Sequence, residues 1–267
     1  MHPIERLRLV ARAGGEGRSS LLAHEAATAL AMFSDDPAGL VTACRRLVDR
    51  HPTSGPMWWL AARVLLSADP AGEAWRAAEE LEDDRTAHAL AACIPEDGVV
   101  TVLGWPEQSS AALIARGDVQ SRVVDVLGDG SALARRLSAA GGISALVPES
   151  GLGVAVAGSD LLVLEAAAIG EDGLVGTSGS RAAAAVAHHA RVPVWVVAGL
   201  GRVLPRGLWH ALRAELDDAE EPWEDVEEVV PLDLVDSVVR PHGRERVVEM
   251  LMNPDCAMAP ELLRRLN

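Results

Sequence analysis

Residues 159–198, SDLLVLEAAAIGEDGLVGTSGSRAAAAVAHHARVPVWVVA, decide the fold of this chain. The two continuous apolar runs, 161–164 and 194–197, are typical of strands buried on both faces of a parallel sheet. Between them lie a Gly/Ser/Thr-rich stretch, residues 173–180, and an Ala-rich stretch, residues 181–190, that favours a helix. The segment therefore predicts a strand, a loop, a helix and a second strand.

Apolar runs of similar length precede this segment and are separated by stretches with helical spacing. The predicted strands are residues 99–103, 123–127, 143–147, 161–164 and 194–197. Strands that alternate with helices favour a parallel sheet with right-handed crossovers. The sequence thus predicts an α/β protein, with a helical N-terminal domain over residues 1–93 and a Rossmann-like, ligand-binding domain over residues 94–267.

Composition limits the classes of partner. The formal net charge is −15, which argues against a nucleic-acid surface, because phosphate neutralisation needs clustered basic residues. No apolar run approaches the roughly 20 residues that cross a bilayer, so no membrane partner is expected. All basic residues are Arg rather than Lys, which indicates a bacterial source with GC-rich coding.

The three cysteines are far apart and have no C-x-x-C spacing, which favours reduced thiols in a cytoplasmic protein. Neither a metal site nor a cofactor is predicted. In particular, the first predicted strand is not followed by the G-x-G-x-x-G sequence that binds dinucleotides.

The Gly/Ser/Thr-rich stretch before the predicted helix is the first candidate site. Backbone N–H groups and hydroxyls at a helix N-terminus favour an anion, typically phosphate. An arginine beside them is well suited to the charge of a phosphate group. The predicted phosphate-binding residues here are Gly176, Thr177, Ser178, Gly179, Ser180 and Arg181.

Several motifs, in this order along the chain, resemble one known family. They are His51-Pro-Thr-Ser-Gly-Pro, Glu165-Ala-Ala, Asp172-Gly-Leu-Val-Gly-Thr-Ser-Gly-Ser, His188-His-Ala-Arg-Val-Pro and Asn253-Pro-Asp-Cys-Ala-Met-Ala-Pro. The family joins the regulatory alpha, beta and delta subunits of translation initiation factor 2B to two isomerases, of methylthioribose-1-phosphate and of ribose-1,5-bisphosphate. The resemblance implies a homodimer built on the Rossmann-like domain, and it adds His51 and Thr53 to the predicted phosphate-binding residues.

The chain departs from this resemblance where the isomerases carry their chemistry. The isomerases use a Cys in the loop after the first strand, but residues 104–108 contain none. They also use an Asp at a position where this chain has Ala167. Glu165 is the nearest carboxylate and therefore the catalytic candidate; its other interpretation is a loop cap or a partner of an Arg. Two residues along a strand displace a side chain by about 6 to 7 Å, so the standard isomerase chemistry is predicted to be absent.

Three functions follow from these features. The first is a protein that binds a phosphorylated sugar or nucleotide in the cleft between the domains, without the family's standard isomerase chemistry. The second is an active aldose–ketose isomerase on a ribose-1-phosphate-type substrate. The third is a regulatory protein-interaction module.

Overall fold

The computed structural model describes residues 18–33, 35–217 and 221–263. Helices come first: α1 (Arg18–Ala31), α2 (Pro37–Arg50), α3 (Gly55–Leu66), α4 (Pro70–Glu82) and α5 (Thr86–Cys93). The predicted helical N-terminal part is confirmed; its portion before Arg18 lies outside the described residues. None of the helices in the described ranges has the length and apolar character needed to cross a membrane.

Two of these helices begin in the same way, because the sequence Asp-Pro-Ala-Gly occurs at both starts. The Asp36 carboxylate accepts the Gly39 N–H at 2.9 Å, and the Asp69 carboxylate accepts the Gly72 N–H at 3.0 Å. In each case the proline occupies the first turn, where its missing N–H costs nothing. This local sequence fixes where α2 and α4 begin.

The chain then alternates between strands and helices. The strands are β1 (Val99–Leu103), β2 (Gln120–Asp125), β3 (Ile143–Pro148), β4 (Leu161–Glu165), β5 (Ala168–Ile169), β6 (Gly173–Thr177), β7 (Val194–Val197), β8 (Glu227–Pro231), β9 (Ser237–Arg240) and β10 (Gly243–Glu245). The helices are α6 (Glu107–Ala115), α7 (Gly130–Ala139), α8 (Leu152–Ala157), α9 (Ser180–Ala190), α10 (Arg206–Asp217) and α11 (Val247–Leu251).

Seven of the strands form the main sheet in the order β10-β9-β7-β4-β1-β2-β3. All neighbours are parallel except β10, which pairs antiparallel with β9. Separate apolar clusters cover its two faces: one includes Leu162, Leu164 and Ala184, and the other includes Val100, Val102 and Leu133. The predicted Rossmann-like parallel sheet is confirmed, with all five predicted strands in it.

The Gly/Ser/Thr-rich stretch is not the long loop that the sequence predicts. Gly173–Thr177 is strand β6, which pairs with β5 and β8 in a second, antiparallel sheet. Leu174 and Val175 in its middle are fully buried, and this burial drives the strand pairing. Gly176 and Thr177 are therefore strand residues, and only Ser178 and Gly179 separate β6 from α9.

The helical part shares its apolar core with the C-terminal part of the chain. One cluster joins Met57, Trp59 and Leu60 of α3 to Leu208 and Trp209 of α10. The helices end at Cys93 and the first strand begins at Val99, which is where the sequence places the domain boundary. The division into domains at residues 1–93 and 94–267 stays a prediction, since this core spans both.

A tight turn between β5 and β6 packs under the indole ring of Trp209. The Trp209 Nε1–H and the Arg213 guanidinium each donate to the Asp172 carboxylate at 2.7 Å. Burial raises the pKa of Asp172, but these two partners outweigh it and hold the pKa below its ordinary value. A Cβ on Gly170 would lie 1.9 Å from Cγ of Trp209, so only glycine fits there.

We expect Gly170→Ala to lower the free energy of unfolding by about 1 to 3 kcal/mol, because the buried Trp209 ring must shift to admit the methyl group. Denaturant unfolding followed by circular dichroism measures the change. The control is Gly117→Ala, where an added Cβ has no atom within 4 Å. Equal stability of the two variants would contradict the packing described for Trp209.

Candidate functional site

The carboxyl ends of β1, β4 and β7 meet at one edge of the main sheet, where ligands bind in open parallel sheets. Glu165 is the last residue of β4. The loop that follows β1 leads into α6, and the loop that follows β7 carries Arg202. This edge is the candidate site, because neighbouring parallel strands bring side chains from distant segments together there.

Glu165 is held by two other segments of the chain. Its Oε1 accepts from Nη1 of Arg202 at 3.1 Å, and its Oε2 accepts from the N–H and the hydroxyl of Ser109, each at 3.0 Å. The side chains of Glu165 and Arg202 are 10% and 7% exposed. Arg202 also donates to the carbonyl of Ala166 at 2.7 Å. Glu165 is thus the partner of an Arg, the second of its two interpretations from sequence.

Asp84 joins the helical part to this edge. Its Oδ2 accepts the N–H of Leu200 in the loop after β7 at 2.9 Å. Its Oδ1 accepts the N–H and the hydroxyl of Thr86 at the start of α5, at 2.9 and 2.6 Å. A Cβ on Gly199 would lie 2.6 Å from Oδ2, so this contact needs glycine there. The loop after β7 is therefore fixed from both sides, by Asp84 and by Glu165.

A cavity of about 120 Å³ lies at this junction. Three carboxylates line it, those of Glu82, Asp84 and Glu107, and one guanidinium, that of Arg202. Since Arg202 already pairs with Glu165, the cavity carries an excess of negative charge. A second cavity of about 500 Å³ shares Asp84 and Leu200 with it and is lined by four carboxylates and two arginines. The charge of this cleft opposes an anionic ligand.

The six predicted phosphate-binding residues around α9 lie together, at the end of β6 and the first turn of α9. Gly179 has a left-handed backbone, with φ of 89°. The N–H of Arg181 donates to Oε1 of Glu228 at 3.0 Å, and the N–H of Ser178 donates to the carbonyl of Val226 at 2.9 Å. A carboxylate of the chain itself thus occupies the helix N-terminus at which phosphate was expected.

His51 and Thr53 lie in the turn between α2 and α3. That turn approaches the sheet through Gly55, whose N–H donates to the carbonyl of Ala167 at 2.9 Å. Ala167, where the resemblance places the isomerases' Asp, therefore holds the start of α3 through its backbone carbonyl. The other predicted phosphate-binding residues lie at the end of β6 and in the first turn of α9.

Two of the three cysteines are poor replacements for the one that the isomerases use. Burial raises the pKa of Cys44 and of Cys256 to about 12, so both remain thiols at neutral pH and are poor nucleophiles. Cys93 ends α5 and is half-buried. Within the described residues, no group of three or more His, Cys, Asp or Glu side chains is arranged to hold a metal ion.

A second buried ion pair, between Arg240 and Asp255, fixes the C-terminal segment. The Arg240 guanidinium donates to Oδ1 of Asp255 at 2.5 Å, and Oδ2 of Asp255 accepts the Val203 N–H at 2.8 Å. Burial raises the pKa of Asp255 above its ordinary value, although Arg240 opposes this. The Asp255 carbonyl accepts from Nε1 of Trp59 at 3.0 Å, which ties the segment to α3.

Four residues that contribute to these contacts are not predicted from the sequence: Asp84, Ser109, Arg202 and Glu228. Each meets its partner across tens of residues of sequence: Arg202 lies 37 residues from Glu165, and Glu228 lies 47 residues from Arg181. The one usable signal was the Gly-Leu-Gly-Arg sequence after β7, because the loop lies at the carboxyl end of a parallel strand.

The protein is of the α/β class, with a helical part packed against the carboxyl edge of a doubly wound parallel sheet. No protein-family model matches the sequence, and no curated protein matches it. The fold is nevertheless found in solved structures. One is the translation initiation factor eIF-2B of Pyrococcus horikoshii OT3, with a TM-score of 0.77 and 16% identity, covering 93% of this chain and 98% of that one.

Two further structures are from Chaetomium thermophilum. The beta subunit of eIF2B gives a TM-score of 0.72 at 17% identity, and the match covers 93% of this chain and 89% of that one. The tetrameric eIF2B-beta2-delta2 complex gives a TM-score of 0.73 at 18% identity, with coverage of 94% and 92%. The resemblance expected from the motifs is thus confirmed at the level of the fold, which is that of eIF2B subunits.

Proposed function

We propose that this chain is a non-catalytic member of the family of eIF2B regulatory subunits and sugar-phosphate isomerases, and that it acts by assembling with a second copy of itself. The observation that carries the proposal is the engagement of Glu165 with Arg202 and Ser109. The carboxyl edge of the sheet is occupied by contacts within the chain. One of the similar structures is a tetrameric complex, which favours assembly as the role of the fold.

Isomerase chemistry needs a group that moves a proton between two carbons and a second group that handles the oxygens. Glu165 is the best candidate for the first, yet each of its oxygens already accepts from a neighbour. A general base must lie within about 3 Å of the proton that it abstracts, and Glu165 is fixed in place by its partners. Where the resemblance places the family's Asp, Ala167 has no titratable group and offers no substitute.

We expect no turnover of methylthioribose-1-phosphate or ribose-1,5-bisphosphate, measured by NMR of the sugar phosphates. Each missing acid or base costs about 10² to 10⁴ in rate, so the loss of both groups removes most of the catalysis. Glu165→Gln serves as the matched control and should be equally inactive. Turnover by the wild type that disappears in Glu165→Gln would establish the aldose–ketose isomerase instead.

A phosphorylated sugar or nucleotide is the second candidate function. The guanidinium of Arg181 favours it, because this group is exposed, adjoins the N-terminus of α9 and pairs with no residue in the described ranges. The ligand would take the place of the Glu228 carboxylate on the Arg181 N–H. Phosphate and Glu228 are then competitors for one position, which gives the proposal a direct test.

We expect Glu228→Gln to tighten the binding of inorganic phosphate and of ribose 5-phosphate, measured by isothermal titration calorimetry. Removing a competing charge from a helix N-terminus is worth about 0.3 to 1 kcal/mol, or roughly two- to fivefold in affinity. Glu224→Gln, just before β8, changes the net charge equally and should leave the affinity unchanged. Equal affinities for Glu228→Gln and Glu224→Gln would refute a phosphate site at this turn.

A further inference from the structure

A shallow apolar groove lies between α1 and α2. Its volume is about 30 Å³, close to the space that one water molecule takes up in the liquid. Small ligands bind in clefts of about 300 to 1,000 Å³, so a small molecule does not fit here. The groove instead suits the tips of side chains from a packed element. Six apolar residues line it, together with Arg46 and Arg50: Ala26, Ala29, Leu30, Phe33, Ala43 and Leu47.

Exposed apolar side chains adjoin this groove on α1. Leu21 is 60% exposed, and Met32, directly after α1, is 68% exposed. A helix turns by about 100° per residue, so these two side chains lie on the same side of α1 and close to Ala29. We call these two side chains and the six apolar lining residues the α1–α2 surface. Exposed apolar surface of this kind indicates a site of contact with another element.

The N-terminal segment, residues 1–17, precedes α1 and lies outside the described residues. Its sequence, MHPIERLRLVARAGGEG, places Ile4, Leu7 and Val10 at helical spacing. A proline just before Ile4 suits the first turn of a helix, and the paired glycines that follow suit its end. The sequence therefore predicts an amphipathic helix over residues 3–13.

We propose that residues 3–13 form a helix that docks antiparallel to α1 on the α1–α2 surface of the same chain, with Ile4 and Leu7 at the groove. This docking is independent of the proposed assembly and of any phosphorylated ligand. Residues 14–17, Gly-Gly-Glu-Gly, connect the segment to α1, and connections of about two to eight residues commonly join neighbouring helices. A short, flexible connection gives the segment a millimolar effective concentration, so that even a small contact surface is occupied.

The length of the segment matches the position of the groove. Both helices rise by about 1.5 Å per residue, so an antiparallel turn in the short connection aligns them residue by residue. Val10 then comes level with Leu21. Ile4 comes level with Ala27, and its side chain leans toward the N-terminus of its own helix and hence toward Phe33. The apolar face of the segment thus passes over the exposed Leu21 and ends in the groove.

The charges favour this segment as the occupant. Residues 1–17 contain three Arg and two Glu, whereas the whole chain has a net charge of −15. A net positive segment is attracted to a strongly negative protein. The antiparallel alignment also brings Arg6 level with Glu25, which is half-buried and lies one turn before Ala29 on α1. Attraction between opposite charges thus acts in the same direction as burial of the apolar face.

The test uses NMR of the full chain. Phe33 is its only phenylalanine, so selective labelling of that ring gives one set of aromatic signals. We expect a nuclear Overhauser contact between the Phe33 ring and the δ1 methyl group of Ile4, whose signal is the one that Ile4→Val removes. The same contact between mixed chains, some labelled only at Phe and some only at Ile, would place the segment of a second copy in the groove and overturn the proposal.

Hydrogen exchange gives a second measurement. An isolated helix of about eleven residues is marginal in water, so protection of the amides of residues 7–13 requires docking. We expect these amides to exchange at least tenfold faster in Ile4→Ser with Leu7→Ser than in the wild type. Leu9→Ser with Ala13→Ser changes the opposite side of the helix and should keep the protection, although serine weakens the helix at least as much there.

Two results would contradict the docking. One is a wild type in which these amides are unprotected and the Phe33 ring has no contact with Ile4. The other is equal exchange in the two double variants, because only the first of them changes the docked face. Circular dichroism verifies that both variants are folded, so that a loss of protection reports on the segment alone.

Discussion

The ion pair between Glu165 and Arg202 is the constraint on which the rest of the structure depends. A carboxylate and a guanidinium that are both almost fully buried are stable only while each has its partner and its hydrogen bonds. Satisfying them requires Ser109 from the start of α6 and the carbonyl of Ala166 after β4. Three separate segments are thereby fixed at the carboxyl edge of the sheet.

The position of the helical part follows from this arrangement. Once Arg202 is in place, the preceding residues of its loop present the N–H of Leu200 to Asp84, and the following Val203 meets Asp255. Asp255 in turn accepts from the indole of Trp59 in α3. The contacts between the two halves of the chain are thus polar and specific at the sheet edge and apolar around Trp209. The cavities in this cleft are lined mainly by carboxylates, which oppose an anionic substrate.

The sequence predicted the parts of the fold that local patterns determine. Continuous apolar runs predicted five of the seven strands of the main sheet. It did not predict β6, because a strand that contains two glycines owes its form to pairing with β8, more than fifty residues later. Nor did it predict the partners of Glu165 and Arg181, which are set by topology rather than by local sequence.

Glu165 has two interpretations, as a catalytic group and as the structural partner of Arg202. A double-mutant cycle decides between them most directly. The measurement is the free energy of unfolding of Glu165→Met, Arg202→Met and the double variant. Either single change leaves a buried charge without its partner, so each should lower the free energy of unfolding by about 3 to 5 kcal/mol. The double variant should lose no more than the larger of the two single changes. Additive losses would show that Glu165 does not depend on Arg202, and would contradict the structural role assigned to this pair.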